Sequence, residues 1–252
     1  MVSTGAGEQA KAPVRVLPGI DHTGNRLLDA LPLAERDALV AKMEVRGLQS
    51  EEPLYEAGQR IKAVWFPITA IVSLLTTLND GTGVETATVG REGMVGVAIF
   101  LGDDQVPNSR GVVQLRGEAL RMDAADFGVE VTENPTLRQF LFAYTRALLL
   151  QFGQGVACAT SHTVRERLAR WMLQTTDRVA NDELELTQQF LSEILGVRRA
   201  SITAAIHELQ NRGAITTRRG SIHVVRRDRL AEASCECYDV VSDEYERLLP
   251  NA

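Results

Sequence analysis

Two adjacent guanidinium groups, Arg198 and Arg199, stand at the head of the segment "VRRASITAAIHEL", with hydroxyls following at Ser201 and Thr203. A guanidinium can do two kinds of work in such a place. Its fork of parallel N–H donors matches the O6/N7 edge of guanine, and its charge holds phosphate. Arg199 is the candidate for the first task and Arg198, at the segment's start, for the second. Ser201 and Thr203 carry short hydroxyls suited to a phosphate or a base edge. Upstream, "LTQQFLSEILG" contributes Thr187 and Gln188, and downstream Arg218 and Arg219 lie close to where phosphates would run. The bland alternative is a helical hairpin whose arginines are merely solvated.

The elements that would position these groups are short and locally specified. Spacing predicts one helix over 187–193, with Thr187 as its N-cap, and a second over 198–211. Leu191, Ile194, Val197, Ile202, Ile206 and Leu209 form the shared apolar face, and Gly196 permits the left-handed turn between the helices. This is a helix-turn-helix, whose second helix enters the major groove. The stretch "AITTRRGSIHVVRR" reads as a hairpin and makes the unit a winged helix. Charge agrees with the pattern. The chain carries a net −6, yet residues 198–229 hold eight arginines against Glu208 and Asp228, a local +6. A basic block in an acidic chain points to a localised anionic partner, here double-stranded DNA.

The remaining chain divides by period. Residues 1–19 read as a flexible tail, and 20–50 as helical, interrupted at Pro32. Residues 51–123 alternate in short runs separated by Gly, Asp and Asn turns, as in a compact antiparallel barrel or sandwich. From Pro135 the period becomes helical. Leu137, Leu141, Tyr144, Leu148, Gln151, Gly155 and Cys158 recur at alternating spacings of four and three over a helix of about 25 residues. That stripe suits a homodimer seam; the alternative is packing on the chain's own β domain. A new helical unit begins near His162, and 230–252 reads as an acidic amphipathic helix. The expected organisation is α+β: a β-domain over 20–134, a dimerisation helix over 135–161, a winged helix over 162–229, and the C-terminal helix.

In this order of elements the chain resembles the cyclic-AMP receptor protein / fumarate-nitrate regulator (CRP/FNR) family of bacterial transcription factors. The resemblance spans roughly residues 21–229. It rests on "LTQQFLSEILGVRRASITAAIHELQNRGAI", "LYEAGQRIKAVWFPITAIVSLL" and "VGREGMVG". It implies a cyclic-nucleotide-binding-like β-roll of jelly-roll type, a homodimer, DNA as partner and RNA polymerase as a further one. It also implies that Arg199 occupies the guanine-reading position, that Thr187 and Ser201 contact phosphate, and that Gly196 is the turn glycine. Ala200 and Ala204 stand where many members have Glu and Arg, so the familiar operator does not transfer. The sensor departs further. Members that bind cyclic nucleotides use a Gly-Glu and a later Arg-Ser, whereas here Val97 follows Gly96, and Pro107 and Asn108 align with Arg-Ser. An effector pocket, if built at the family's position, would draw on Gly96, Val97, Asn108, Ser109 and Arg110. Without a well-placed cation a buried phosphate is uncompensated, so cyclic-AMP control is not expected and the small-molecule effector is unknown. No cysteine precedes Cys158, which excludes the family's N-terminal iron–sulfur arrangement.

Other features read as structural. Cys235 and Cys237, and separately Cys158 and His162 one helical turn apart, read as packing pairs; no metal or other cofactor is expected. Gly90, Gly93 and Gly96 read as β-roll corners, not as a dinucleotide fingerprint. No apolar run approaches the ~20 residues of a membrane span, and the N-terminus lacks a secretory core, so a cytoplasmic protein is expected. With no nucleophile–base pair, carboxylate pair or metal set, an enzyme is not expected. The rival reading is a small-molecule-binding module whose helical tail contacts protein.

Overall fold

A computed structural model describes residues 22–79, 81–102, 104–179, 183–184, 186–218 and 220–249. The expected tail 1–19 and Arg219 lie outside the described residues. Two short helices, α1 (Arg26–Asp29) and α2 (Leu33–Val40), precede strands β1 (Glu44–Leu48), β2 (Pro53–Tyr55), β3 (Ala63–Pro67), β4 (Ile71–Thr77) and β5 (Gly83–Val89). The helical reading of 20–50 therefore overshoots: residues 44–48 extend and pair antiparallel with a later strand. A single turn, α3 (Ala98–Leu101), leads to β6 (Ser109–Leu115), β7 (Gly117–Asp123) and α4 (Ala124–Glu133). The strands form two antiparallel sheets, β1-β7-β3 and β2-β6-β4-β5. Val64, Phe66, Val72, Leu74, Leu120 and Met122 fill the space between them.

The long helix α5 runs Pro135–Ser161, with Pro135 in its first turn and the Asn134 side chain accepting from the Leu137 backbone N–H at 2.9 Å. The stripe read as a dimer seam does not face outward. Leu137, Leu141, Tyr144 and Leu148 are buried in the same core as the β-sheets. Tyr144 Oη donates to the Met94 carbonyl at 2.9 Å, and Gln151 Nε2 to that of Thr88 at 3.1 Å. The helix packs on its own β domain along that stripe because a β-roll needs an apolar lid. What α5 leaves in solvent is a second stripe seven residues apart: Phe142, Leu149 and Val156, 51%, 63% and 68% exposed.

The C-terminal unit has a separate core. It comprises α6 (Val164–Val179), β8 (Glu183–Leu184), α7 (Gln188–Leu195), α8 (Arg199–Asn211), β9 (Ile215–Arg218), β10 (Ser221–Val224) and α9 (Arg227–Glu232). Leu168, Trp171, Leu191, Ile202, Ile206, Leu209 and Ile222 pack together there. The expected hairpin is present, and β8 adds a third strand, giving the order β8-β10-β9. The last segment is two helices: after α9 the chain breaks at 233–236 and resumes as α10 (Cys237–Leu248). Val241, Tyr245 and Leu249 return to the β-roll core, so α10 clasps α5. Among the described residues no helix is long and apolar enough to cross a membrane.

Candidate nucleic-acid interface

Thr187 caps α7, its Oγ1 accepting from the Phe190 backbone N–H at 3.1 Å. Gly196 ends the helix at φ +62°, ψ +38°, and the Val197 N–H reaches back to the Ser192 carbonyl at 3.0 Å. That Schellman-like closure needs the left-handed conformation glycine adopts without strain. Arg198, extended at φ −67°, ψ 141°, is the N-cap of α8. Burial then splits α8 by period. Ile202, Ala205, Ile206 and Leu209 face the core, while Arg199, Ala200, Thr203, Ala204 and His207 are exposed. The two alanines keep this face low, so Arg199, in the first turn, has an unobstructed reach.

The other candidates fall in three groups. Gln188 and Thr203 meet: the Thr203 hydroxyl donates to Gln188 Oε1 at 2.9 Å, tying the start of α7 to α8. Ser201 is half-buried, and Arg218 is exposed at the end of β9. Gln210 Nε2 donates to Thr217 Oγ1 at 3.0 Å and braces that strand against α8. The local charge is less available than its sum suggests. Arg226 is held by Asp228 at 2.6 Å, Arg227 by Asp177, and Arg229 donates to the Arg212 carbonyl at 3.0 Å. Arg198, Arg199, Arg212 and Arg218 are exposed as well.

The opposite face of the unit is docked on the β-roll. Arg178 of α6 reaches Glu92 (Nε–Oε1 2.8 Å) and Thr88 (Nη1–Oγ1 2.6 Å), and both charged side chains are buried. Burial works against the Arg178 charge, but the Glu92 carboxylate together with Tyr245 and Tyr144 outweighs it and holds the guanidinium above its ordinary pKa. Trp171 Nε1 donates to Glu85 Oε1 at 3.2 Å, and Ser73 Oγ donates to Oε2 of the same carboxylate at 2.6 Å. Burial pushes Glu85 up to about 7, against the pull of those two hydrogen bonds. The glycines of "GREGMVG" take part in this fit: Gly90 and Gly93 close a tight turn, the Gly93 N–H donating to the Gly90 carbonyl at 3.1 Å, and Gly96 takes the left-handed conformation at φ +103°. A Cβ on Gly90 would stand 2.7 Å from Arg178 Cδ, and one on Gly93 2.4 Å from the Tyr144 ring. The glycines read as corners thus also serve two close approaches. Sequence reasoning missed Glu85, Glu92, Trp171 and Arg178 as an interdomain set, since only the fold brings them together.

The residues named for an effector pocket each have distinct neighbours. Gly96 and Val97 lead into α3 beside Val64. The Asn108 carbonyl accepts from the Thr77 N–H at 2.8 Å, and Ser109 Oγ lies 3.0 Å from Tyr55 Oη. Arg110 alone of the five lines a cleft of about 880 Å³ between the β2-β6-β4-β5 sheet and the α7–α8 turn, with Arg198 on the far wall. Its Nε is buried and makes no hydrogen bond. Arg110 pairs in register with Leu75, which lines the cleft, and not with Leu74, which enters the roll core.

Comparison with known proteins places this architecture. Residues 166–233 match the Crp-like helix-turn-helix domain. FixK2 from Bradyrhizobium japonicum is 15% identical with a TM-score of 0.60, covering 77% of this chain and 98% of its own. The c-di-GMP-responsive global regulator CLP of Xanthomonas campestris is 14% identical with a TM-score of 0.61, covering 77% and 99%. A CRP/FNR-family transcriptional regulator from Thermus thermophilus is 18% identical with a TM-score of 0.61, covering 76% and 98%. No curated protein matches the chain in sequence.

Proposed function

The chain carries a Crp-like helix-turn-helix domain on the fold of the CRP/FNR transcriptional regulators, and on that premise we propose that it is a homodimeric, sequence-specific DNA-binding regulator. The observation that carries the reading is the open face of α8. Arg199 projects from its first turn over Ala200 and Ala204, with Thr203, Gln188 and Thr187 beside it and Arg218 on the hairpin. Arg199 reads a guanine edge, and Arg198, Arg218, Thr187 and Ser201 hold backbone phosphate. Residues 20–134 are the sensor, 135–161 the dimer helix and 162–229 the reader. The dimer forms through the exposed heptad Phe142, Leu149 and Val156, which would otherwise leave three large apolar side chains in water. Two α8 helices then enter successive major grooves of a pseudo-palindrome.

Cyclic AMP is not the controlling ligand. Arg110, the one cation near the family's phosphate position, turns toward the interdomain cleft and away from the roll core. That cleft is the effector seat the fold offers, because a molecule bound there touches both the sheet and the turn ahead of the reading helix. The test is sedimentation equilibrium of wild type and Leu149→Glu, together with fluorescence anisotropy on a selected DNA site with and without cyclic AMP. The expected result is a dimer that Leu149→Glu converts to monomer, with DNA affinity indifferent to the nucleotide. A dimer untouched by that change overturns the seam, and a nucleotide-dependent affinity overturns the assignment of control.

A further inference from the structure

We propose that Cys158, His162, Cys235 and Cys237 form a site for a single thiophilic divalent cation of the zinc type. In sequence these are two unremarkable pairs. The fold joins them: Cys158 and His162 occupy the last turn and C-cap of α5, and Cys235 and Cys237 bracket the start of α10. His162, 73 residues from the nearer cysteine of the second pair, completes the donor set that neither pair supplies alone.

The geometry fits one tetrahedral ion. All four donor atoms lie within 4.8 Å of one another. Cys158 Sγ and Cys235 Sγ are 3.6 Å apart, and Cys237 Sγ and His162 Nδ1 3.5 Å. A tetrahedral ion with bonds of about 2.3 Å to sulfur and 2.0–2.1 Å to nitrogen has edges of about 3.8 Å (S···S) and about 3.5 Å (S···N). Two edges already have about that length, and the others close by no more than about 1.3 Å. The outer contacts fit as well. With Nδ1 toward the thiols, His162 sets Nε2 3.2 Å from Glu236 Oε2, the carboxylate–histidine arrangement that fixes a ligand's tautomer. Gln154 Nε2 donates to Cys237 Sγ at 3.1 Å. The three cysteines form a small buried cluster of their own, apart from both main cores.

Plain packing accounts for three buried thiols. It does not account for an imidazole entering them nitrogen-first with a carboxylate behind it. A Cys158–Cys235 disulfide would use two of the four donors and leave Cys237 and His162 without a role. On binding, each cysteine gives up its thiol proton, and His162 binds as the neutral ring through Nδ1 while its Nε2–H goes to Glu236. The ion would fix the end of α5 to the start of α10, two residues before α6 opens the winged-helix unit. It therefore pins the hinge between sensor and reader.

Cobalt(II) titration of the purified, metal-free, reduced full chain tests this, followed by displacement with zinc and elemental analysis. The expected result is one ion per chain, with thiolate-to-cobalt charge-transfer and tetrahedral d–d absorption that zinc abolishes, and a higher unfolding midpoint for the zinc form. Cys158→Ser and His162→Ala should each remove the tetrahedral spectrum. Glu236→Gln, outside the donor set and exposed, should keep the fold by circular dichroism and weaken binding about 10–100-fold. Stoichiometry near zero overturns the proposal, as does a cobalt spectrum unchanged by Cys158→Ser. Isolation with several irons and inorganic sulfide per chain overturns the single-ion site. None of these readouts involves DNA, so the site stands or falls apart from the proposed regulator function.

Discussion

The winged-helix unit has two faces of opposite character. Toward solvent, α8 presents Arg199, Thr203 and His207 between exposed alanines, with no element of the described residues laid across them. Toward the β-roll, α6 presents Arg178 to Glu92 as a buried ion pair and Trp171 to the half-buried Glu85. The open face makes no demand on the fold, because guanidinium and hydroxyl groups are content in water until a phosphate or base edge replaces it. The docked face is costly to build and sensitive to change, since a buried ion pair is stable only while both partners are present. The difference suggests a division of labour: one face reads, and the other sets where the reader sits.

Removing one partner of the docked pair should produce the largest effect. Arg178→Ala leaves Glu92 buried without its cation and should cost about 3–5 kcal/mol in equilibrium unfolding. The double variant Arg178→Met with Glu92→Met should recover much of that loss, and failure to recover would mean that the pair is not the source of the cost. Arg199→Ala should do the reverse. It should leave the unfolding midpoint in place and weaken specific DNA binding by about 1–3 kcal/mol, with relaxed preference at one base position. An unchanged base preference would remove Arg199 from direct readout. Thr187→Ala falls between the faces: losing the cap to Phe190 should destabilise the unit by about 1 kcal/mol in chemical denaturation.

The smallest effect is a slope with pH. Glu85 is pushed up to about 7 from an ordinary 4.5, so the docked form holds its proton where an undocked one has released it. The stability this gives docking is fully present below about 4.5 and is lost as pH rises through about 7. Glu85→Gln should flatten that dependence in thermal melts taken between pH 5 and 8. An identical slope in the variant would assign the dependence to another group.

Legibility followed the range of the interactions. The cap at Thr187, the turn at Gly196 and the periodic face of α8 are settled within four residues of each position, so the helix-turn-helix and its hairpin could be read directly. The extent of α5 was equally plain, bounded by Pro135 and the change of pattern at His162. Which of its stripes faces the β-roll was not. Leu141 and Leu149 are the same residue type, and only the arrival of Met94, Thr88 and Tyr245 decides which is buried. Residues 44–48 were read as helical because the strand that pairs with them, residues 117–121, is far off in sequence. Glu92 finds Arg178 at a separation of 86 residues, and Cys158 finds Cys235 at 77. Arg198 and Arg199 stand at the head of α8 because a local motif places them there. The effector residues were inferred by alignment alone, and of the five Arg110 lines the interdomain cleft.

The most direct test of the reading face is selection of wild-type protein on a random-sequence DNA pool, without added ligand and at two salt concentrations. The account predicts an enriched two-fold-symmetric site, with half-sites about one helical turn apart and a guanine whose enrichment disappears in Arg199→Ala. Weak binding that collapses with salt and enriches no sequence would contradict it, leaving the arginines as a non-specific phosphate surface.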